Sequence, residues 1–166
     1  MFQKVSILFL SIFSFKVQAN EPKRTFQNKQ AIAFTAMGPA TWWSIAIEND
    51  LQWVDHWNFS SKIGISSHQF KDFHNKWNPN LQLPIKLSVR YGKNHQFGIG
   101  FGGTTTRVVK FLHNTKLSTW SFNPFISVDY RFYLKKQFYL NTAIYFIYSP
   151  NQKIYLWPGL TFAWVF

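Results

Sequence analysis

The stretch Trp157-Pro158-Gly159-Leu160-Thr161-Phe162-Ala163-Trp164-Val165-Phe166 most narrows what this chain can fold into. Large apolar side chains stand at every second position, Leu160, Phe162, Trp164 and Phe166. Successive strand residues point to opposite faces, so this period of two writes a strand with one greasy, aromatic side. The last residues of a domain in water usually fray. A closing strand this apolar calls for a neighbour other than water.

The same period recurs upstream. Leu81, Leu83, Ile85, Leu87, Val89 and Tyr91 alternate with Gln82, Pro84, Lys86, Ser88 and Arg90. Eight segments read this way: 30–37, 41–48, 57–65, 81–91, 97–102, about 119–133, 138–148 and 154–166. Turn residues separate them at Gly38-Pro39, 49–55, 92–94, 135–136 and 149–151, and longer loops are expected at 66–80 and roughly 103–117. An even number of tilted strands, each near the nine to eleven residues that cross a bilayer, is the pattern of a transmembrane barrel. With Phe166 on the periplasmic side, both long loops fall outside, as such barrels require. The expected fold is all-β, an eight-stranded antiparallel up-and-down transmembrane β-barrel.

Charge placement supports this. The ionisable residues inside these segments are Glu48, Lys62, Lys86, Arg90, Asp129 and Arg131, and each opposes the apolar stripe. At mid-membrane a lipid-facing basic residue costs about 2–4 kcal/mol, whereas a lumen-facing one can pair. An eight-stranded barrel is just wide enough for side chains to fill it. A lumen charge network acting as a plug is therefore expected, in preference to an anion-preferring conduit. A soluble lipocalin-like periplasmic carrier shares the alternation but turns its apolar face inward, and it stands as one alternative.

The start of the chain fits export. Met1-Phe2-Gln3-Lys4 is a basic opening, an apolar run follows to Phe15, and Val17-Gln18-Ala19 is a small-residue cleavage site. Residues 1–19 are expected to be a cleaved signal peptide and 20–166 a single barrel domain. No later run approaches a membrane helix, and the mean hydropathy of −0.15 suits a barrel whose two faces cancel. Aromatic residues make up 20% of the chain, enough to supply two interfacial girdles. The net charge of +12 would suggest nucleic acid in a cytosolic protein. An exported barrel instead meets outer-membrane lipid and lipopolysaccharide phosphates, so no nucleic-acid partner is expected. Outer-membrane barrels end on a strand like 157–166, and Gly159, Phe162, Trp164 and Phe166 are expected to form the C-terminal signal read by the assembly machinery.

The residues also carry a resemblance. Trp43-Ser44-Ile45-Ala46-Ile47-Glu48 is similar to a Tyr-Ser-x-x-Tyr-Glu strand. The run from Pro84 through Arg90-Tyr91-Gly92-Lys93-Asn94 to Phe97-Gly98-Ile99-Gly100-Phe101-Gly102 follows, and then Trp157-Pro158-Gly159-Leu160. Together they resemble a family of small, mostly uncharacterised outer-membrane barrels of Bacteroidetes-type bacteria. The resemblance implies fold and location and brings no reaction. Gly98 stands where that pattern carries a Glu, which removes one expected lumen carboxylate.

Catalysis is not expected. A lipid A-modifying enzyme, the other alternative, needs a serine, a base and an orienting acid within reach of one another. His113 with Ser118 or Thr115 is the nearest set and has no acid close in sequence, while His56 and His95 lie at the opposite end. His68 and His74 with Asp72 invite a zinc reading but suit an ordinary polar loop better. Gly98, Gly100 and Gly102 repeat at strand period with no helix after them, so they form no phosphate loop and more plausibly make room for lumen Lys and Arg. The basic, apolar stretch Arg107-Val108-Val109-Lys110-Phe111-Leu112 is a candidate contact for lipopolysaccharide or a partner protein. The sequence thus specifies a monomer without cofactor or metal, with a structural or binding role through its outer loops.

Overall fold

Eight strands follow the alternating segments in chain order, in a computed structural model that describes residues 27–54, 56–67, 80–112, 115–149 and 152–166. They are β1 (Gln27–Gly38), β2 (Thr41–Val54), β3 (Trp57–Ser67), β4 (Leu81–Tyr91), β5 (His95–Leu112), β6 (Thr115–Lys135), β7 (Phe138–Ser149) and β8 (Gln152–Val165). Each pairs antiparallel with the next, and β8 returns to β1 through Ala31↔Val165 to Ala36↔Leu160, closing the barrel. Closure leaves no open edge in the wall, so the strand amides and carbonyls there are satisfied within the protein, as hydrocarbon demands.

The oily side chains point outward. Ile85, Leu87, Phe162 and Trp164 are 45%, 38%, 46% and 48% exposed, while Lys86, Arg90 and Arg131 are 4%, 2% and 0% exposed. This excludes the lipocalin-like alternative, whose apolar residues would fill the centre. The exterior is banded as well. Trp120 and Tyr148 lie outward towards one end, Trp53, Trp57, Tyr91 and Trp164 towards the other, and a belt including Ile63, Ile126 and Ile144 lies between. On β2 the girdle positions are Trp43 and Trp53, both in the outward series of Ile45 and Ile47. At about 3.3 Å per residue and a tilt near 40° they stand roughly 25 Å apart, the apolar height of such barrels.

Two boundaries differ from expectation. Residues 49–54 are strand, not turn, because the alternation of Asn49, Asp50, Leu51, Gln52 and Trp53 carries the ladder on to Gln27↔Gln52 and Val54↔Trp57. The polar residues masked a continuing period of two. The expected loop at 103–117 is likewise mostly strand. Beyond the β4 pairing at Gln82↔Thr106 and the β7 pairing at Phe125↔Ile147, β5 and β6 go on pairing with each other as far as Leu112↔Thr115. They project as a two-stranded ribbon on the end of the barrel that carries the β1–β2, β3–β4 and β7–β8 connections. Here it is called the ribbon end.

The opposite, turn end is tightly knit. Gly92 N donates to His56 O (2.8 Å), Tyr133 N to Asn94 O (3.0 Å), Val165 N to Gln137 O (2.7 Å) and Phe166 N to Gln30 O (2.9 Å). Gly92 has φ of +130°, a left-handed backbone that suits glycine, and the tight β4–β5 turn depends on it. Phe166 is thus bonded to β1 rather than frayed. The signal segment, His68, Asp72, His74 and His113 lie outside the described residues.

Candidate functional site

The inward positions of the strands build a polar column, which is the natural place to look for chemistry. Near the turn end, β2 contributes Glu48 and Asp50, β3 Ser60, β4 Arg90, β6 Arg131 and β7 Tyr139, all buried. Arg131 donates to both carboxylates, Nη2 to Glu48 Oε1 and Nη1 to Asp50 Oδ2. Arg90 Nη1 reaches Glu48 Oε1 at 3.1 Å, Asp50 Oδ1 at 3.3 Å and Ser60 Oγ at 2.6 Å. Tyr139 Oη donates to Glu48 Oε2 at 2.6 Å, and its ring lies 3.8 Å below the Arg131 guanidinium carbon. Planar guanidinium forks match carboxylates in two directions at once, so arginine suits this crossing of the lumen better than lysine would.

One layer further along the axis, Lys86 Nζ lies 2.7 Å from both oxygens of Asp129. Arg90 Nη2 also approaches Asp129 Oδ2 at 3.8 Å, linking the two layers. Lys62 is placed differently. Its Nζ donates to Thr35 Oγ1 at 2.8 Å and Thr161 Oγ1 at 3.4 Å, and it takes no part in the ion pairs of the described residues. Four cations therefore share three carboxylates in this column.

Size complementarity lets the large groups fit. Ala31, Ala33, Ala46 and Ala163 give small inward faces on β1, β2 and β8, against which Tyr139 packs. Added side-chain carbon at Gly98 would meet the Arg90 stem, and at Gly100 it would meet Lys86 and Ser127 Oγ. The glycine-rich strand is thus the wall that the basic residues lie along. Gly98 also pairs with Arg90 on one side and Asp129 on the other. The carboxylates that Arg90 needs come from β2 and β6, so a Glu at 98 is dispensable.

Towards the ribbon end the column turns aromatic. Phe125 packs edge-on to Tyr145 at 5.3 Å, with Ala143, Ile147, Tyr155 and Trp157 around them. The cavity left between this cap and the ion pairs is about 10 Å³, lined by Thr35, Ser44, Lys62, Lys86 and Tyr145 among others. That is room for about one water molecule.

Sequence reasoning named Glu48, Lys62, Lys86, Arg90, Asp129 and Arg131, and the fold gathers all of them in the lumen, five as ion-pair partners and Lys62 as a hydroxyl donor. It missed Asp50, assigned to a turn, and Tyr139, whose partner lies 91 residues away. Extending the period from Glu48 by two would have found Asp50. In the terminal strand, Phe162, Trp164 and Phe166 face outward and are exposed, while Gly159 faces inward beside Tyr145. Ser118 is exposed on the ribbon, and no cluster of His, Cys, Asp or Glu among the described residues is arranged to hold a metal ion.

A closed antiparallel sheet with a charged column inside and hydrocarbon-compatible side chains outside defines an eight-stranded outer-membrane β-barrel. Known structures share that architecture. The N-terminal β-barrel domain of Pseudomonas aeruginosa OprF superposes with a TM-score of 0.57 at 9% identity, covering 84% of this chain and 96% of that one. The Yersinia pestis outer membrane protein Ail, in a phospholipid bilayer nanodisc, gives 0.55 at 8% identity, covering 85% and 99%. At such identities the likeness is one of fold. No protein-family model matches the chain, and no curated protein matches it.

Proposed function

We propose that this protein is a monomeric, non-catalytic outer-membrane barrel that does not conduct, and that it acts through its ribbon end. The observation that carries the reading is the crossed ion-pair layer, in which Arg90 and Arg131 bridge Glu48 and Asp50 across the lumen. An ion following the axis would have to separate those charges and then pass a cavity with room for about one water. The ribbon supplies the surface for a binding role. Its sequence from Arg107 to Trp120 carries Arg107, Lys110 and Lys116 and no acidic residue, which favours lipopolysaccharide phosphates or an acidic partner.

The rest of the biography belongs to the same proposal. Residues 1–19 direct export, the mature chain begins at Asn20, and Gly159, Phe162, Trp164 and Phe166 are read by the outer-membrane assembly machinery. Kinship to the Bacteroidetes-type barrels rests on the motifs at 43–48, 84–102 and 157–160. Single-channel recording tests the central claim. The purified barrel, shown to be folded by heat-modifiable gel migration, is expected to give no steady conductance in planar bilayers. Reproducible channels from that preparation would replace the plug with the conduit reading.

A further inference from the structure

At the turn end the lumen widens into a cavity of about 930 Å³, on the far side of the ion-pair layer from the aromatic cap. The strand period explains its lining. The inward series of each strand, followed past the buried layer, reaches Lys29 on β1, Asn58 on β3, Gln96 on β5 and Tyr133 on β6, and a bulge after Tyr133 adds Lys135 to the lining. Turn residues Lys93 and Lys136 complete a rim in which the cations are all lysines. These side chains are exposed at the mouth, apart from the buried Gln96 and half-buried Asn58 and Tyr133.

Charge in this vestibule is one-sided. Asp50 is the acidic residue in its lining, and its carboxylate is engaged by Arg131 and Arg90. It therefore offers the rim lysines little neutralisation. Cations at a rim would be an ordinary feature of a lipid-facing surface, but Lys29 occupies an inward strand position, and all four lysines line the cavity. Carboxamides add a second chemistry. Asn58, Asn94 and Gln137 line the same cavity, and each carries both a donor and an acceptor, the complement of a hydroxyl group. The volume lies in the range of sites that enclose small organic ligands.

We infer that the turn-end vestibule is a binding site for a small, hydroxylated organic acid of the sugar-acid type. The lysine rim takes the carboxylate and the carboxamides take the hydroxyls. Neither the plug nor the ribbon is needed for it, so it stands apart from the proposed function.

Isothermal titration of the full barrel in a nonionic detergent tests this, with galacturonate, inorganic phosphate and glucose as probes. Galacturonate is expected to bind saturably at one site, phosphate at least tenfold more weakly, and glucose undetectably. Raising the salt weakens the binding. The Lys93→Gln/Lys135→Gln variant, with heat-modifiable migration intact, is expected to lose at least tenfold in affinity, whereas Lys153→Gln, near the start of β8 at the opposite end, loses nothing. The inference is overturned if galacturonate fails to saturate, if the vestibule variant binds as the parent does, or if phosphate or glucose binds equally well. Displacement of galacturonate by phosphatidylglycerol doped into the micelle overturns it too, by making the lysines a lipid-headgroup site.

Discussion

Arg131 and Lys62 are both lumen cations, yet their removal has different consequences. Arg131 is fully buried and holds two carboxylates at once. Truncating one member of such a pair leaves buried charge uncompensated, at a cost of about 3–5 kcal/mol. Arg131→Met should therefore lower the unfolding free energy of the barrel, read by urea titration in lipid vesicles, by that amount. Among the described residues Lys62 hydrogen-bonds to the hydroxyls of Thr35 and Thr161, and those hydroxyls bond each other at 2.9 Å. Lys62→Met leaves no orphaned carboxylate and removes the excess cation, so its effect should stay within about 1 kcal/mol. A Lys62→Met barrel as damaged as Arg131→Met would show that Lys62 neutralises the acids at longer range. Tyr139→Phe lies between the two, losing one hydroxyl–carboxylate bond of roughly 1.5–3 kcal/mol while both arginines keep Glu48 paired.

Among the elements, β5 has two characters. Its lower half is glycine-rich because β4 lays Arg90 and Lys86 across it. Gly98→Val should obstruct both the Arg90 stem and the Val89 carbonyl, 2.5 Å from the position its Cβ would take. Loss of heat-modifiable migration in that variant, with the arginines unchanged in sequence, is the expected readout. The upper half, beyond Thr106, pairs only with β6 and not with β4. Joining Arg107 to Trp120 through an Asn-Gly turn should therefore leave the unfolding free energy of the barrel within about 0.5 kcal/mol of the parent. The same shortened protein should lose any binding to lipopolysaccharide vesicles that the parent shows. Normal binding by the shortened form would detach the ribbon from the proposed role.

For the whole molecule, stability depends on which solvent each face meets. Ile126 is outward and 59% exposed, in register with Phe101 on one side and Phe146 on the other. Its place between the two girdles puts it near the bilayer centre. Ile126→Arg should cost about 2–4 kcal/mol in vesicles, whereas Trp120→Arg on the ribbon should cost little. If both cost the same, the apolar belt is not where lipid sits. Quenching of outward tryptophans by spin-labelled lipids gives an independent measure. Trp53, Trp57 and Trp164 should respond most to labels near the headgroups, since amphipathic rings settle at that depth.

Much of this was written locally. A period of two is a property of neighbouring residues, so the strands, their two faces and the inward direction of Glu48, Lys86, Arg90 and Arg131 follow from the sequence alone. Strand ends were harder where both faces become polar, as at 49–54, or where a ladder outlasts its flanking partners, as at 107–112. There the local pattern weakens while pairing continues. Which charges meet was beyond local reading altogether. Glu48 receives Arg90 from 42 residues away and Arg131 from 83 residues away because closure folds β4 and β6 across the lumen from β2. Alternation states which way a side chain points; only the curvature of the closed sheet decides what it points at.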